Sequence, residues 1–237
     1  MLLVGCLLGF AARVHSRGTR QRHILEQAAE VGGHIVYDFE DRLNESRWSA
    51  TQRWFAPHLG ADMVGNVVAL EFPGTPACNW RQPVKLAAEL PSVETFAACC
   101  EGLIPEDLES LARLPNLKRI NLYHVHTLPN LQPLTRLSHL ETLKLGGGEG
   151  ATAARLAPLR NLPRLRALNL NYTDATDELI PLLCAFPALE ELQVSGTEIT
   201  AGGLARLRDS KTLRILYVDA TQARDKDLLT CWQVVIE

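Results

Sequence analysis

A hydrophobic pattern with a period of about 24 residues constrains the fold of this 237-residue chain more than any other feature. Five segments read L-x-x-L-x-L or L-x-x-L-x-V, and their first leucines are spaced 23, 25, 24 and 24 residues apart. These first leucines are Leu117, Leu140, Leu165, Leu189 and Leu213. Two weaker copies begin upstream at Val67 and Val93. A fixed period of this length predicts an array of seven stacked units.

A second apolar register follows most of these segments and consists of leucine pairs spaced i, i+3. The pairs are Leu108/Leu111, Leu131/Leu134, Leu156/Leu159, Leu179/Leu182 and Leu204/Leu207. This spacing indicates the narrow apolar stripe of a helix, whereas the alternating L-x-L indicates a strand with every second residue buried. Each unit is therefore predicted to be a short strand, a turn and a returning helix. Neither half can bury its apolar face alone, so neighbouring units share one core.

These units resemble leucine-rich repeats, and the segment from Gly196 to Leu204, GTEITAGGL, resembles a signature of bacterial repeats of the planctomycete type. The resemblance covers about 160 residues, from Val67 to Leu229. It implies an α/β leucine-rich repeat solenoid, a horseshoe segment of about seven strand-turn-helix units with a small α+β N-terminal cap. Threonine replaces the asparagine usual at the strand turn, and we expect its hydroxyl to bond neighbouring backbone groups, at Thr75, Thr173, Thr197 and Thr221.

The sequence divides into four predicted regions: an apolar anchor or anchor remnant (1–12), a basic juxtamembrane helix and cap (13–66), repeats (67–229) and a C-terminal tail (230–237). Within the cap we expect a helix from Thr19 to Val31, a stop at Gly32-Gly33, a strand from His34 to Phe39 and a second helix. That second helix contains Trp48, Trp54 and Phe55. The tail reads either as a short apolar cap or as the start of a further repeat.

The apolar run at 1–12 is followed by four basic residues, Arg13, Arg17, Arg20 and Arg22. The run is shorter than the roughly 20 residues needed to cross a bilayer, and its basic flank favours the trailing half of an anchor helix over a frayed N-terminus. We expect membrane association through residues 1–22. Arginines after the run favour the cytoplasmic side, and a soluble cytoplasmic protein is the alternative.

A glycine loop at 146–150 matches the G-x-G-x-x-G/A spacing of dinucleotide sites through Gly146, Gly148 and Ala151. The repeat alignment instead places this loop at the turn occupied by Ser195–Glu198 in a later unit. We therefore expect an irregular turn with positive φ angles, and nucleotide binding through Gly146–Gly150 is a remote alternative.

His124 and His126 are too few for a metal site, and the six cysteines show no C-x-x-C spacing. No catalytic motif is present, so neither enzymatic activity nor a cofactor or metal is predicted.

The outward residues of the strands are expected to form parallel columns on the concave face of the array, which is the face of the sheet opposite the leucine core. They mix amides, tyrosines and isolated charges, which suits a protein or peptide partner better than a phosphate backbone. A net charge of -3 gives no general attraction to nucleic acid either.

The predicted function is a non-enzymatic, membrane-tethered protein-binding scaffold. The alternatives are an envelope protein that self-associates through its repeat ends and an ordinary solvated surface. The predicted partner-binding residues are Arg119, Asn121, Tyr123, Lys144, Asn169, Asn171, Gln193, Tyr217 and Asp219.

Overall fold

A computed structural model of the chain describes residues 18–37, 66–72, 81–99, 103–224 and 232–236. Their strands form one nine-stranded sheet in which the spatial order equals the chain order. The strands are β1 (His34–Tyr37), β2 (Val67–Phe72), β3 (Thr95–Cys99), β4 (Arg119–Tyr123), β5 (Thr142–Gly146), β6 (Ala167–Asn169), β7 (Glu191–Gln193), β8 (Ile215–Val218) and β9 (Gln233–Ile236).

The parallel pairing from β2 to β8 follows the register that the repeat predicts. Residues at the same repeat position are direct partners on adjacent strands: Asn121 pairs with Lys144, and Asn169 pairs with Gln193. The row continues through Glu71 and Ala97 on one side and to Tyr217 on the other. The predicted seven strands and the predicted alignment of their outward residues are confirmed, because one period per strand leaves each side chain on the same face in every unit. We name this row the central column.

Short helical segments return along the opposite side of the sheet. The α-helices are α1 (18–30), α2 (Arg81–Ala88), α3 (Pro105–Leu111), α4 (Ala153–Leu156), α5 (Ile180–Cys184) and α6 (Ala201–Arg206). The 3₁₀ helices are Gln132–Arg136, Ala157–Asn161, Asp177–Leu179, Leu207–Asp209 and Gln222–Arg224. A unit of this length leaves room for only one or two helical turns after its strand. One leucine pair deviates from the prediction: Leu183 is buried together with Ile180, while Leu182 is half-buried.

One hydrophobic cluster extends through the array from Ile24 to Val218. Most of its members belong to the two predicted registers, and Leu143, Leu168 and Leu192 occupy equivalent positions on neighbouring strands. Removing apolar area from water stabilises the fold by roughly 25 cal/mol per Å², so stacking supplies the main driving force. Each unit therefore depends on its neighbours for burial.

The N-terminal end of the array is covered by α1 and β1. Gly32, at φ +74°, ends α1, and the amides of Gly32 and Gly33 donate to the carbonyls of Ala29 and Ala28 at 3.0 and 2.8 Å. β1 then pairs antiparallel with β2, and α1 adds Ile24 to the core. The predicted helix and stop are confirmed, and so is the predicted strand as far as Tyr37, since its last two residues lie outside the described ranges. The anchor at 1–12 and the predicted second helix lie outside the described residues. None of the helices in the described ranges is both long and apolar enough to cross a membrane.

At the other end, β9 pairs in parallel with β8, and the amide of Gln233 donates to the carbonyl of Arg214 at 2.9 Å. The same position in the preceding unit makes the same backbone bond, since the amide of Ile215 donates to the carbonyl of Glu190 at 3.0 Å. β9 thus continues the sheet in the repeat register, although its sequence lacks the L-x-x-L-x-L pattern.

The predicted threonine pattern at the strand turns holds at two of its three described positions, and Thr75 lies outside the described residues. The hydroxyls of Thr173 and Thr197 donate to the carbonyls of Leu170 and Val194, both at 2.7 Å, as expected. Thr221 does not follow them, because it is exposed and its hydroxyl donates to the carboxylate of Asp219.

Gln222 takes the inner position in place of Thr221 and is 4% exposed. Its amide Nε2 donates at 3.1 Å to the carbonyls of Val194 and Ile199 and to the hydroxyl of Thr197, while its Oε1 accepts from the amide of Asp219 at 3.0 Å. This one side chain therefore links the last two repeat turns.

A column of alternating charges lies just before the strands. Its backbone amides each donate to the carbonyl of the preceding member at 2.8 Å. Two ion pairs lie within it, Lys118 with Glu94 at 3.0 Å and Arg166 with Glu190 at 3.7 Å. We name this set the charge column, and its members in order are Glu94, Lys118, Glu141, Arg166, Glu190 and Arg214.

Candidate functional site on the concave face

A depression of about 270 Å³ lies on the concave face and crosses β4 to β7. Five of the nine predicted partner-binding residues line it: Arg119, Asn121, Lys144, Asn169 and Gln193. The remaining lining residues are Thr142, Ala167, Leu168 and Glu191. The strand register therefore brings part of the central column together with a second row, which we name the flank column. The members of the flank column that line the depression are Arg119, Thr142, Ala167 and Glu191.

The side chains from β6 and β7 hold one another in place. The amide of Asn169 donates to Gln193 Oε1, and the amide of Gln193 donates to Glu191 Oε1 at 2.7 Å. Asn169 Oδ1 also accepts from the backbone amide of Asn171 at 2.8 Å. Because these bonds fix both amide groups, this wall of the depression is preorganised before any partner arrives.

The side chains from β4 and β5 are less constrained. Arg119 Nε donates to the hydroxyl of Thr95 at 2.9 Å, and within the described ranges neither Arg119 nor Lys144 has an ion pair. Asn121 Oδ1 is buried and accepts no hydrogen bond from a described group. A buried acceptor without a donor costs about 1–3 kcal/mol, so the polar groups of this wall are less completely hydrogen-bonded than those of the wall from β6 and β7.

Two predicted residues, Tyr123 and Tyr217, lie on the concave face outside the depression. Tyr123 is the last residue of β4 and is 45% exposed. Tyr217 lies on β8 beside Gln193 in the central row and is half-buried. Both extend the polar surface beyond the depression, one along a strand and one across the array.

The expectation that Asn171 faces outward is wrong. Its exposure is 9%, and its Oδ1 accepts from the backbone amide of Ser195 at 2.8 Å. The reason is that β6 ends at Asn169, so Asn171 lies in the turn, where the alternation of a strand no longer applies. Asn171 and Ser195 therefore link two adjacent units through this hydrogen bond, and Ser195 is only 2% exposed.

Asp219 also lies beyond its strand and acts within a turn. Its carboxylate accepts from the hydroxyl of Thr221 and from the backbone amides of Thr221, Gln222 and Gly196. These bonds, led by the one from the Thr221 hydroxyl, lower the pKa of Asp219 to about 2. Its oxygens are thus largely committed to the array itself.

Most backbone amides of the glycine loop already have acceptors within the chain. The amides of Gly150 and Ala151 donate to the carboxylate of Asp174, both at 2.7 Å, and the amide of Gly147 donates to the carbonyl of Asn171 at 3.0 Å. A carboxylate of the chain thus occupies the anion position, which removes the physical basis of the nucleotide alternative through Gly146–Gly150. Positive φ is confirmed for two glycines of the loop, Gly147 (+80°) and Gly150 (+87°).

One exposed aromatic residue, Tyr172, is absent from the predicted set. It is 70% exposed and has a φ of 59°, and the other residues with positive φ at this turn position are His124, Gly147 and Gly196. The sequence did contain a signal that could have identified Tyr172, because two other units carry glycine at this position. Glu191 was also left out, although its place in the flank column put it beside Ala167.

The described residues contain no group of three His, Cys, Asp or Glu side chains placed to hold a metal ion. His124 and His126 are both exposed. Cys184 lies on the helical side, and burial raises the pKa of its thiol, which disfavours the reactive thiolate. The prediction of a non-enzymatic protein stays a prediction.

No protein-family model and no curated protein matches the chain by sequence. Solved structures with similar folds include internalin C2 from Listeria monocytogenes, with 26% identity over 62% of this chain and 59% of that protein and a TM-score of 0.41. Others are the plant peptide hormone receptor RGFR1 in complex with RGF2 (14% identity, 65% and 23%, TM-score 0.37) and the TLR13–ssRNA13 complex (17%, 68% and 27%, 0.42). Each match spans less than two thirds of the other protein. On its own period and strand register, the chain is a leucine-rich repeat solenoid.

Proposed function

We propose that the protein is a binding scaffold that captures a protein or peptide through its concave face, and that residues 1–22 tether it to a membrane. The depression across β4 to β7 carries the first part of this proposal. It combines a wall of fixed amides with cations that have no ion pair in the described ranges. Fixed polar groups lower the ordering cost of association, and unpaired ones gain contacts only when a partner arrives.

The composition of the depression supports a polypeptide partner over a nucleic acid. Arg119 and Lys144 are its two cations, and Glu191 adds a negative charge on the same surface. A phosphate backbone is bound by a row of positive groups, and an acidic group in that row opposes it. The absence of nucleic-acid binding, the membrane tether and self-association through the repeat ends all remain predictions.

The concave-face proposal is tested by filling the depression. Ala167 lies at its centre on β6, so Ala167→Trp places a large ring there without changing any charge. A pool of ten-residue peptides is first selected on the wild-type protein from a random display library. We expect the selected peptides to bind the variant about tenfold more weakly or worse, measured by fluorescence polarisation.

The matched control is Ala154→Trp, which adds the same ring at an exposed position of α4 on the helical side. It should leave both peptide affinity and the melting temperature near the wild-type values. If the Ala167→Trp variant melts normally and still binds the peptides as tightly as the wild type, the concave face is not the binding surface.

A further inference from the structure

The charges of the depression are separated along the array. Its two cations come from adjacent strands, Arg119 on β4 and Lys144 on β5, whereas its anion, Glu191, comes from β7. Glu191 Oε1 accepts from Gln193, and in the described part of the chain Glu191 has no ion pair. The concavity therefore has a positive end and a negative end.

The separation of the two ends follows from the register. Arg119 and Glu191 occupy the same flank position, three strands apart, and strands lie about 4.8 Å from one another, so their backbones are about 14 Å apart. Lys144 lies one strand closer to Glu191 but two residues further along its own strand, which gives about 12 Å. Four residues of an extended chain, at about 3.3 Å each, cover about 13 Å.

Several residue spacings in an extended peptide have about this length, and the alternating direction of its side chains decides which one fits the depression. In an extended chain, residues i, i+2 and i+4 point to one side, whereas i+3 and i+5 point to the other. Only the i, i+4 pair therefore directs two charged side chains into the depression over the required distance. The residue between them, i+2, faces the amides of Asn169 and Gln193. Each of these amides keeps one N–H that the bonds within the wall do not use.

We propose that the depression binds an extended peptide segment that lies across the strands and carries an acidic and a basic residue four positions apart. The acidic side chain lies between Arg119 and Lys144, and the basic side chain meets Glu191. This inference rests on the proposed function and names the chemistry of the partner.

The test uses the full chain and the random display library described above. We expect the selected sequences to be enriched in acidic and basic residues at i, i+4 and not at i, i+3. A synthetic peptide with this pair should bind about fivefold or more tightly than the same peptide with its basic residue changed to glutamine.

Neutralising the negative end of the depression should remove its preference for a basic residue in the peptide, and neutralising the positive end should remove its preference for an acidic one. Each change should leave the other preference in place. On Glu191→Gln the two synthetic peptides should bind equally. On the double variant Arg119→Gln and Lys144→Met, the preference for the acidic residue should disappear. The matched control is Arg160→Gln together with Glu178→Gln, which removes one charge of each sign from exposed helical-side positions and should change neither preference.

The contrary outcomes are distinct. Selected peptides that Ala167→Trp weakens but that carry no charge pair, or a pair at i, i+3, would overturn this inference and leave the proposed function intact. A library that yields no binder would also overturn it, leaving a folded protein as partner. Peptides insensitive to Ala167→Trp would overturn both. Salt-dependent binding of a single-stranded RNA oligonucleotide that the double variant abolishes would assign the cations to nucleic acid.

Discussion

Glycines in this chain serve different physical purposes, and Gly148 and Gly202 form a contrasting pair. Gly148 is buried, and a Cβ built on it would lie 1.6 Å from the carbonyl oxygen of Val125. Gly202 is exposed in α6, and its Cβ would meet nothing closer than the Thr200 hydroxyl at 3.7 Å. Glycine is therefore required at the first position for space and is dispensable at the second.

The first prediction compares alanine at these two glycines. Gly148→Ala forces a backbone shift between adjacent turns and should lower the free energy of unfolding by about 1–3 kcal/mol. Gly202→Ala should raise it by about 0.5–1 kcal/mol, because alanine loses less backbone entropy in a helix. Urea denaturation measures both. Equal effects of the two substitutions would contradict the close packing of the glycine loop.

The second prediction concerns the carboxylate of Asp219. Its hydrogen bonds lower its pKa from 3.8 to about 2 in the folded chain, so its contribution to stability is present above pH 4 and is lost as the pH falls towards 2. Asp219→Asn removes this titration. We expect the wild type to be more stable than the variant at pH 5 and the difference to shrink steadily between pH 4 and pH 2.

Urea unfolding at each pH measures this difference, and Glu178→Asn, at an exposed position, serves as the control for loss of a surface carboxylate. A gap between wild type and Asp219→Asn that stays constant from pH 5 to pH 2 would show that the hydrogen bonds to Asp219 do not depend on its charge.

At the level of the strand turns, the sequence pattern and the structure assign the inner polar position differently. The pattern places Thr221 there, by analogy with Thr173 and Thr197, whereas the structure places Gln222 there. Either residue at the inner position is compatible with the repeat period of about 24 residues. Local hydrogen bonding decides between them, because Asp219 holds Thr221 outside and Gln222 alone reaches two carbonyls and a hydroxyl.

The third prediction distinguishes these two residues. Gln222→Leu leaves the Ile199 carbonyl and the Asp219 amide without their partner and removes one of the two donors to the Val194 carbonyl, so it should lower the free energy of unfolding by about 2–3 kcal/mol. Thr221→Val removes one exposed hydroxyl and should cost about 1 kcal/mol or less. Thermal unfolding ranks the two variants. A larger effect at Thr221 would restore the original assignment from the sequence.

Across the whole array, stability should be shared mainly between adjacent units. Val194 and Val218 are fully buried at equivalent positions of neighbouring units, whereas Ile120 lies four strands from Val218. In a linear array each unit contacts only its neighbours, so energetic coupling between side chains should decline with their separation along the array.

The fourth prediction is a pair of double-mutant cycles. Val194→Ala combined with Val218→Ala should deviate from additivity by about 0.5 kcal/mol or more. Ile120→Val combined with Val218→Ala should be additive within about 0.5 kcal/mol. Chemical denaturation of the single and double variants supplies both cycles. Equal coupling in the two cycles would contradict the nearest-neighbour description.

The sequence predicted the fold and the central column because a fixed period determines both. It did not predict the exposure of residues just after the strands. β4 and β5 extend through Tyr123 and Gly146, whereas β6 ends at Asn169, and alternation can be applied only where a strand continues. The sequence shows which charged residues form the two ends of the depression. It does not show that they lack ion pairs, because ion pairing depends on side-chain geometry.

The charge column gives the array a second periodicity that the leucines do not have. Its signs alternate from Glu94 to Arg214, so the pattern repeats every two units. Loss or duplication of one internal unit would bring two like charges together, whereas a change of two units would keep opposite charges adjacent. Lineages of such a protein should therefore tolerate length changes more readily in steps of about 48 residues than in steps of about 24.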